Sequence, residues 1–289
     1  MKGIGLMIYG LTYNATPKEY LMVYQYANKG NLHEYLESNF REFNWANKLE
    51  QLIYISYDLS QIHEAGFIHG DIHSGNILLH LDYYYFQKKL CSYITDLGLS
   101  RRKNEQGSEK VFGVMPYVAP EIFKRLPFTS AADIYGFGAI MSEMSTGRIP
   151  FYDIPDEDLS VMKLNGSLPE FAPETPDCYV ELAKKCMNSN PQQRPSAKQI
   201  ALELFHLHRM VSEPPKTIEE YDIIKKFYNS DAINENSRVN LVKDSNIISI
   251  SKINTNETEV IIHTSKILNT HETEAQDSQL LELTVPDGK

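Results

Sequence analysis

The apolar positions at the start of the chain fall into two short runs. Residues 4–13 and 19–26 are rich in branched and aromatic side chains, and residues 14–18 between them include Asn, Thr and Pro. Runs of this length bounded by turn-forming residues are typical of strands joined by a hairpin loop. We therefore expect a β-hairpin here. An isolated pair of strands is only marginally stable in water and leaves an apolar edge exposed.

Helical periodicity replaces this pattern further along. In residues 44–64, apolar side chains recur every three or four positions, which predicts a long helix that ends near Gly66. Residues 129–146 are apolar on most sides, which predicts a buried helix capped by Ser130. Its two glycines each cost about 1 kcal/mol inside a helix, so we expect close packing against neighbouring backbone there. Further helices are predicted near residue 156 and over residues 178–187 and 196–210.

The pattern changes again after residue 210. Two consecutive prolines at 214 and 215 mark a boundary, and no aromatic residue follows Tyr228. Asn, Ser, Thr, Asp and Glu dominate this part of the chain, which is a composition typical of disorder. We therefore predict that residues 211–289 form a mostly disordered tail.

Composition narrows the class of protein. The 289 residues are 42% apolar, enough for a substantial core, and the net charge of −10 argues against a dedicated nucleic-acid binder. The three cysteines have no metal-ligand spacing, so we expect structural thiols in a reducing compartment, with a cytoplasmic location. No run of about 18 apolar residues is present, so no membrane span is expected.

Two polar motifs carry the candidate chemistry. Residues 69–76 read His-Gly-Asp-Ile-His-Ser-Gly-Asn, and residues 96–98 read Asp-Leu-Gly. Phosphoryl transfer requires positioning and charge neutralisation, so one such site could use Asp71 as the base and Asn76 and Asp96 as magnesium ligands. Taken alone, residues 69–76 are a moderate signal, since a His-x-Asp with an Asn five residues later also occurs by chance, and Asp-Leu-Gly alone is more often an ordinary turn.

Further segments follow these motifs in a fixed order. They are Pro-Tyr-Val-Ala-Pro-Glu at 116–121, Ser-Ala-Ala-Asp-Ile-Tyr-Gly-Phe-Gly at 130–138, Gly-Arg-Ile-Pro-Phe at 147–151 and Pro-Gln-Gln-Arg-Pro-Ser at 191–196. With this set, residues 4–210 resemble the eukaryotic protein kinase family. Residues 30–36 and 194–196 resemble its tyrosine-kinase-like serine/threonine branch.

The resemblance implies an α+β fold with a mainly α-helical large lobe and a remnant β-hairpin of the small lobe. The implied division is residues 1–30 for the small-lobe strands and hinge, residues 31–210 for the large lobe, and residues 211–289 for the tail. The implied function is ATP-dependent phosphoryl transfer to Ser or Thr hydroxyls of a protein substrate, with ATP and Mg²⁺ as cofactors. In this scheme Asp71 is catalytic, and Asn76 and Asp96 hold the metal.

Other residues receive binding or structural roles from the same resemblance. The backbone carbonyl of Gln25 and the backbone amide of Ala27 would bind the adenine edge, and Leu78 would form the floor beneath the adenine ring.

Three residues would hold the large lobe in shape. Asp133 would accept hydrogen bonds from backbone amides of the loop at residues 69–76, which we call the catalytic loop. Glu121 and Arg194 would form a buried ion pair.

The sequence also departs from the family pattern. Gly70 replaces the Arg that usually pairs with a phosphorylated activation segment, His73 replaces a Lys that steadies the transferred phosphate, and Val114 replaces a hydroxyl residue. No Gly-rich loop or strand Lys precedes the hairpin, so we expect a truncated small lobe. Two explanations stay open: an incomplete version of a longer chain, or a genuine short form. In the second case the alternative function is a catalytically silent protein-binding module.

Overall fold

The computed structural model describes residues 5–16, 18–84, 87–102 and 113–242. Within these residues a small β-hairpin joins a body made mainly of α-helices. The α+β class expected from the sequence is therefore confirmed. None of the helices in these ranges is long and apolar enough to cross a membrane.

The strands form antiparallel pairs. They are β1 (Ile8–Asn14) with β2 (Glu19–Tyr24), β3 (Phe67–Ile68) with β6 (Arg101–Arg102), and β4 (Ile77–Tyr84) with β5 (Gln87–Ile94). The first pair is the predicted hairpin. In the third pair, the ladder continues until Tyr84 faces Gln87. Asp82 stands opposite Lys89, and opposite charges at facing positions stabilise such a ladder.

The helices occupy most of the remaining described residues. They are α1 (Leu32–Asn39), α2 (Trp45–Glu64), α3 (Pro120–Phe123), α4 (Ser130–Thr146), α5 (Asp156–Leu164), α6 (Asp177–Cys186), α7 (Ala197–Ser212) and α8 (Ile218–Val242). Asn44 caps α2 by accepting a hydrogen bond from the amide of Asn47 at 2.9 Å. Ser130 does not cap α4 as predicted, because Thr129 holds the cap position and makes no side-chain cap bond.

The core lies where α2 and α4 pack against their neighbours. Leu52, Ile55 and Leu59 of α2 are fully buried. Helix α4 is buried over nearly its whole length. At Gly136 a Cβ atom would lie 2.7 Å from the carbonyl oxygen of Ile72, so α4 touches the backbone of the loop after β3. This contact explains why glycine stands there despite its cost in a helix.

The stretch predicted as a mostly disordered tail contains helix α8. Phe227 of α8 is fully buried and its ring centroid lies 5.4 Å from that of Trp45. The carboxylate of Asp231 accepts a hydrogen bond from the Trp45 amide at 3.0 Å, so α8 completes the N-terminus of α2. Residues 243–289 of the predicted tail lie outside the described residues.

Candidate active site

The loop between β3 and β4 carries the first polar motif, and α4 holds it in shape. The carboxylate of Asp133 accepts hydrogen bonds from the backbone amides of His69 and Gly70, each at 2.9 Å. The same carboxylate lies 2.8 Å from Nε2 of His63. His69 is fully buried, and its Nε2 lies 2.9 Å from the carbonyl oxygen of Thr95. These contacts fix the backbone on which Asp71 stands.

Asp71 and Asn76 lie together at the end of this loop. Nδ2 of Asn76 donates to the Asp71 carbonyl at 3.0 Å and to Oδ2 of Asp71 at 3.3 Å. Since Nδ2 is used in this way, Oδ1 of Asn76 is the atom that remains for a ligand. Oδ1 of Asp71 is buried and has no hydrogen-bond partner among the described residues. An acceptor oxygen left in this state suits a proton donor that arrives with a substrate.

His73 sits beside the Asp71 carboxylate. Its Nε2 lies 3.6 Å from Oδ2 of Asp71, and both side chains are 17% exposed. Burial alone would raise the pKa of Asp71. The neighbouring His73, helped by His69 and Asn76, outweighs burial and holds that pKa below its usual value. These neighbours favour the ionised form of the Asp71 carboxylate.

Asp96 lies two residues after the end of β5. The amide and hydroxyl of Thr95 both donate to the carbonyl oxygen of Asn76, at 2.9 and 3.0 Å, so the two motifs adjoin. Asp96 has φ of 60° in the left-handed region, and its Oδ1 accepts from the amide of Gly98 at 3.0 Å. This bond holds a conformation that is rare outside glycine.

The hinge segment runs along β4. The amide of Gln25 donates to Met7, while the carbonyl of Gln25 and the amide of Ala27 make no hydrogen bond to another described residue. Leu78 is half-buried on β4, whereas its neighbour Leu79 is fully buried. The carbonyl of Gln25 and the amide of Ala27 are one acceptor and one donor that a planar base could use.

Glu121 and Arg194 form a buried ion pair. Nη1 and Nη2 of Arg194 donate to the two carboxylate oxygens of Glu121 at 2.6 and 2.7 Å. Arg194 also donates to the carbonyls of Ala131 and Asn188, each at 2.8 Å. This bidentate pair joins the segment after residue 113 to the turn before α7.

Sequence reasoning missed a buried polar network on the other side of the loop. The carboxylate of Glu143, on α4, accepts from the hydroxyl of Tyr117 at 2.7 Å and from Oγ of Ser74 at 3.0 Å. Nδ1 of His33 lies 2.9 Å from the same carboxylate. Burial raises the pKa of Glu143, although its three partners oppose this effect. The network ties the catalytic loop to the segment 115–118.

Comparison with known proteins decides the family. Residues 6–204 match the family model described as protein tyrosine and serine/threonine kinase. The chain belongs to the protein kinase family.

Relatives of this kinase domain include members of the branch expected from the sequence. The chain is 25% identical over 202 residues to the serine/threonine/tyrosine-protein kinase HT1 of Arabidopsis thaliana. The match covers 68% of this chain and 50% of that protein. The chain is 29% identical over 196 residues to a putative mitogen-activated protein kinase kinase kinase 7-like protein of Drosophila melanogaster, covering 63% of this chain and 47% of the relative.

A third relative combines a kinase domain with another unit. The protein kinase and PP2C-like domain-containing protein of Arabidopsis thaliana is 26% identical over 241 residues, which cover 70% of this chain and 35% of the relative. The chain thus spans half or less of the length of these relatives. The resemblance to the kinase family and to its tyrosine-kinase-like branch is confirmed.

Proposed function

We propose that this kinase domain transfers the terminal phosphoryl group of ATP to Ser or Thr hydroxyls of a protein substrate. The observation that carries the proposal is the buried Oδ1 of Asp71, which has no partner among the described residues while Oδ2 is held by Asn76. Asp71 would accept a hydrogen bond from the acceptor hydroxyl and orient it for attack.

Asn76 and Asp96 carry oxygen atoms of the type that binds magnesium. Asn76 would contribute Oδ1, because its Nδ2 is turned towards Asp71. Asp96 would contribute its carboxylate from the adjoining strand end. Carboxylate and carboxamide oxygens are the ligands that Mg²⁺ prefers. When bound, Mg²⁺ supplies neutralisation of phosphate charge during transfer.

The hinge would bind the base of ATP. The unpaired carbonyl of Gln25 and amide of Ala27 offer one acceptor and one donor, and Leu78 supplies an apolar surface. Three cysteines without disulfide bonds fit a reducing compartment such as the cytoplasm.

The test compares two variants of the full chain. Asp71→Asn should lower phosphate transfer from Mg-ATP to casein by at least about 100-fold, because general-base catalysis is lost. Asp82→Asn changes the same residue type on the exposed part of β4 and should leave transfer unchanged. Both variants should keep the melting temperature of the parent. Full activity of Asp71→Asn would refute the assignment.

A catalytically silent binding module is the second candidate, and the position of His73 favours it. Nε2 of His73 lies 3.6 Å from Oδ2 of Asp71, and His73 makes that carboxylate less basic. The Lys that the family resemblance implies at this position would instead face the transferred phosphate. If the chain is silent, millimolar Mg-ATP should leave its melting temperature unchanged. A rise in melting temperature with nucleotide would count against this second candidate.

A further inference from the structure

The segment from Gly113 to Ala119 forms one wall of the cleft that contains Asp71. Gly113, Val114 and Tyr117 line this cleft together with Asp71. A Cβ atom at Gly113 would lie 3.3 Å from Oδ1 of Asp71. An acceptor side chain that approaches Asp71 therefore passes along this segment. The conformation of its backbone decides what can reach the carboxylate.

One buried lysine donates hydrogen bonds to the backbone of this segment. Lys163 lies in the last turn of α5 and is 1% exposed. Its Nζ donates to the carbonyl oxygens of Met115 at 2.9 Å, Pro116 at 2.6 Å and Val118 at 2.9 Å. An ammonium group has three N–H donors. Each of them is used on the backbone of this one segment.

Among the described residues, no carboxylate forms an ion pair with the ammonium group of Lys163. The neighbours of Nζ include the rings of Tyr135 and Phe151, with centroids 5.1 and 5.4 Å away. Burial lowers the pKa of Lys163 to about 7, and no carboxylate in the described part of the chain opposes that effect. A buried ammonium without a counter-charge is costly unless its donors are satisfied. The three carbonyls are the compensation that the fold provides.

The opposite side of the segment is also fixed. The hydroxyl of Tyr117 donates to Glu143 at 2.7 Å and lies 3.0 Å from Oγ of Ser74 in the catalytic loop. Lys163 therefore holds the backbone of the segment, while Glu143 and Ser74 hold its tyrosine side chain. The segment is therefore held on both its backbone and its tyrosine side chain.

We propose that Lys163 is a positioning residue for the protein acceptor. It sets the backbone of residues 115–118, which form one wall of the cleft beside Asp71. The proposal rests on the proposed function, because it names the element that positions the substrate of that site. Lys163 does not touch the reacting atoms.

The test uses the full chain with Lys163→Met, which keeps the aliphatic stem and removes the ammonium group. Lys198→Met is the matched control, since Lys198 is a 74% exposed lysine on α7. Hydrogen exchange at the amides of Tyr117 and Val118 should become faster in Lys163→Met and stay unchanged in the control. The KM for casein should rise about tenfold or more, with kcat and the KM for Mg-ATP nearly unchanged.

The outcomes separate this proposal from the proposed function. Unchanged exchange in the segment 115–118 would overturn the role of Lys163, and so would a fall in kcat at constant KM. Lys163→Gln keeps two N–H donors and should give an intermediate change in both exchange and KM. If both variants unfold, Lys163 serves the stability of the fold and the proposal is overturned. If the parent chain transfers no phosphate, the proposed function fails, while hydrogen exchange still tests the hold on the segment.

Discussion

Replacement of Arg194 by alanine should destabilise the helical body by about 3–5 kcal/mol, the range found when one partner of a buried ion pair is removed. The variant loses two hydrogen bonds to Glu121 and two to backbone carbonyls. Each hydrogen bond of a charged group is worth about 1.5–3 kcal/mol, so their simple sum would exceed this range. Water that enters the space left by the guanidinium group recovers part of the loss. The uncompensated carboxylate of Glu121 keeps the remainder large, since it is 5% exposed.

Urea unfolding of the full chain measures this loss. Trp45 is the single tryptophan and is fully buried, so its fluorescence follows the helical body. The midpoint should fall without a change in slope. The control is Lys198→Ala, which breaks the exposed contact with Glu64 at 3.8 Å and should cost less than about 1 kcal/mol. A loss below about 1 kcal/mol in Arg194→Ala would refute the reasoning from burial.

Three further perturbations test other parts of the fold. Burial raises the pKa of Asp58 to about 7, so between pH 4 and 7 the folded state holds a proton that the unfolded state releases. Stability should therefore fall over this range in the parent relative to Asp58→Asn, as calorimetry at each pH can show; parallel curves would contradict it. Phe227→Ala should cost about 3–5 kcal/mol in urea unfolding, because its ring is buried against Trp45; a loss below about 1 kcal/mol would mean that α8 is not docked there. Gly136→Ala should cost about 1–3 kcal/mol and reduce phosphate transfer, since its Cβ would press on the carbonyl of Ile72; unchanged stability and transfer would show that the loop yields freely.

The sequence predicts those elements whose signals are local. The spacing of apolar side chains gave α2 to within one residue, and Asn44 is the type of residue that caps a helix. Glycine inside the apolar stretch at α4 indicated close packing, and the carbonyl of Ile72 is the atom that requires it. The motifs also predicted that the catalytic loop and the Asp-Leu-Gly turn lie next to each other, and Thr95 beside that turn donates to the carbonyl of Asn76.

Features that depend on distant partners could not be predicted in this way. Lys163 has the appearance of an ordinary lysine in the last turn of a surface helix, yet three carbonyls far earlier in the chain surround it. Glu143 likewise sits in an apolar helix with no neighbour in sequence that explains it. Helix α8 was missed because its composition is polar. Ile224 and Phe227 are spaced as on one helix face, but the sequence does not show that Phe227 packs against the distant Trp45.

The connection between the hairpin and the helical body has a mechanical consequence. Asn28 exchanges side-chain hydrogen bonds with the backbone of Leu81 at 2.8 and 3.2 Å, and Lys29 and Gly30 pair with Leu79. These bonds clamp the chain to β4 from residue 28 onwards, so any swing of the hairpin must pivot on the few residues before it. That pivot includes the carbonyl of Gln25 and the amide of Ala27, to which we propose that adenine binds. Occupancy by a nucleotide would therefore stiffen the joint about which the two parts of the molecule can turn.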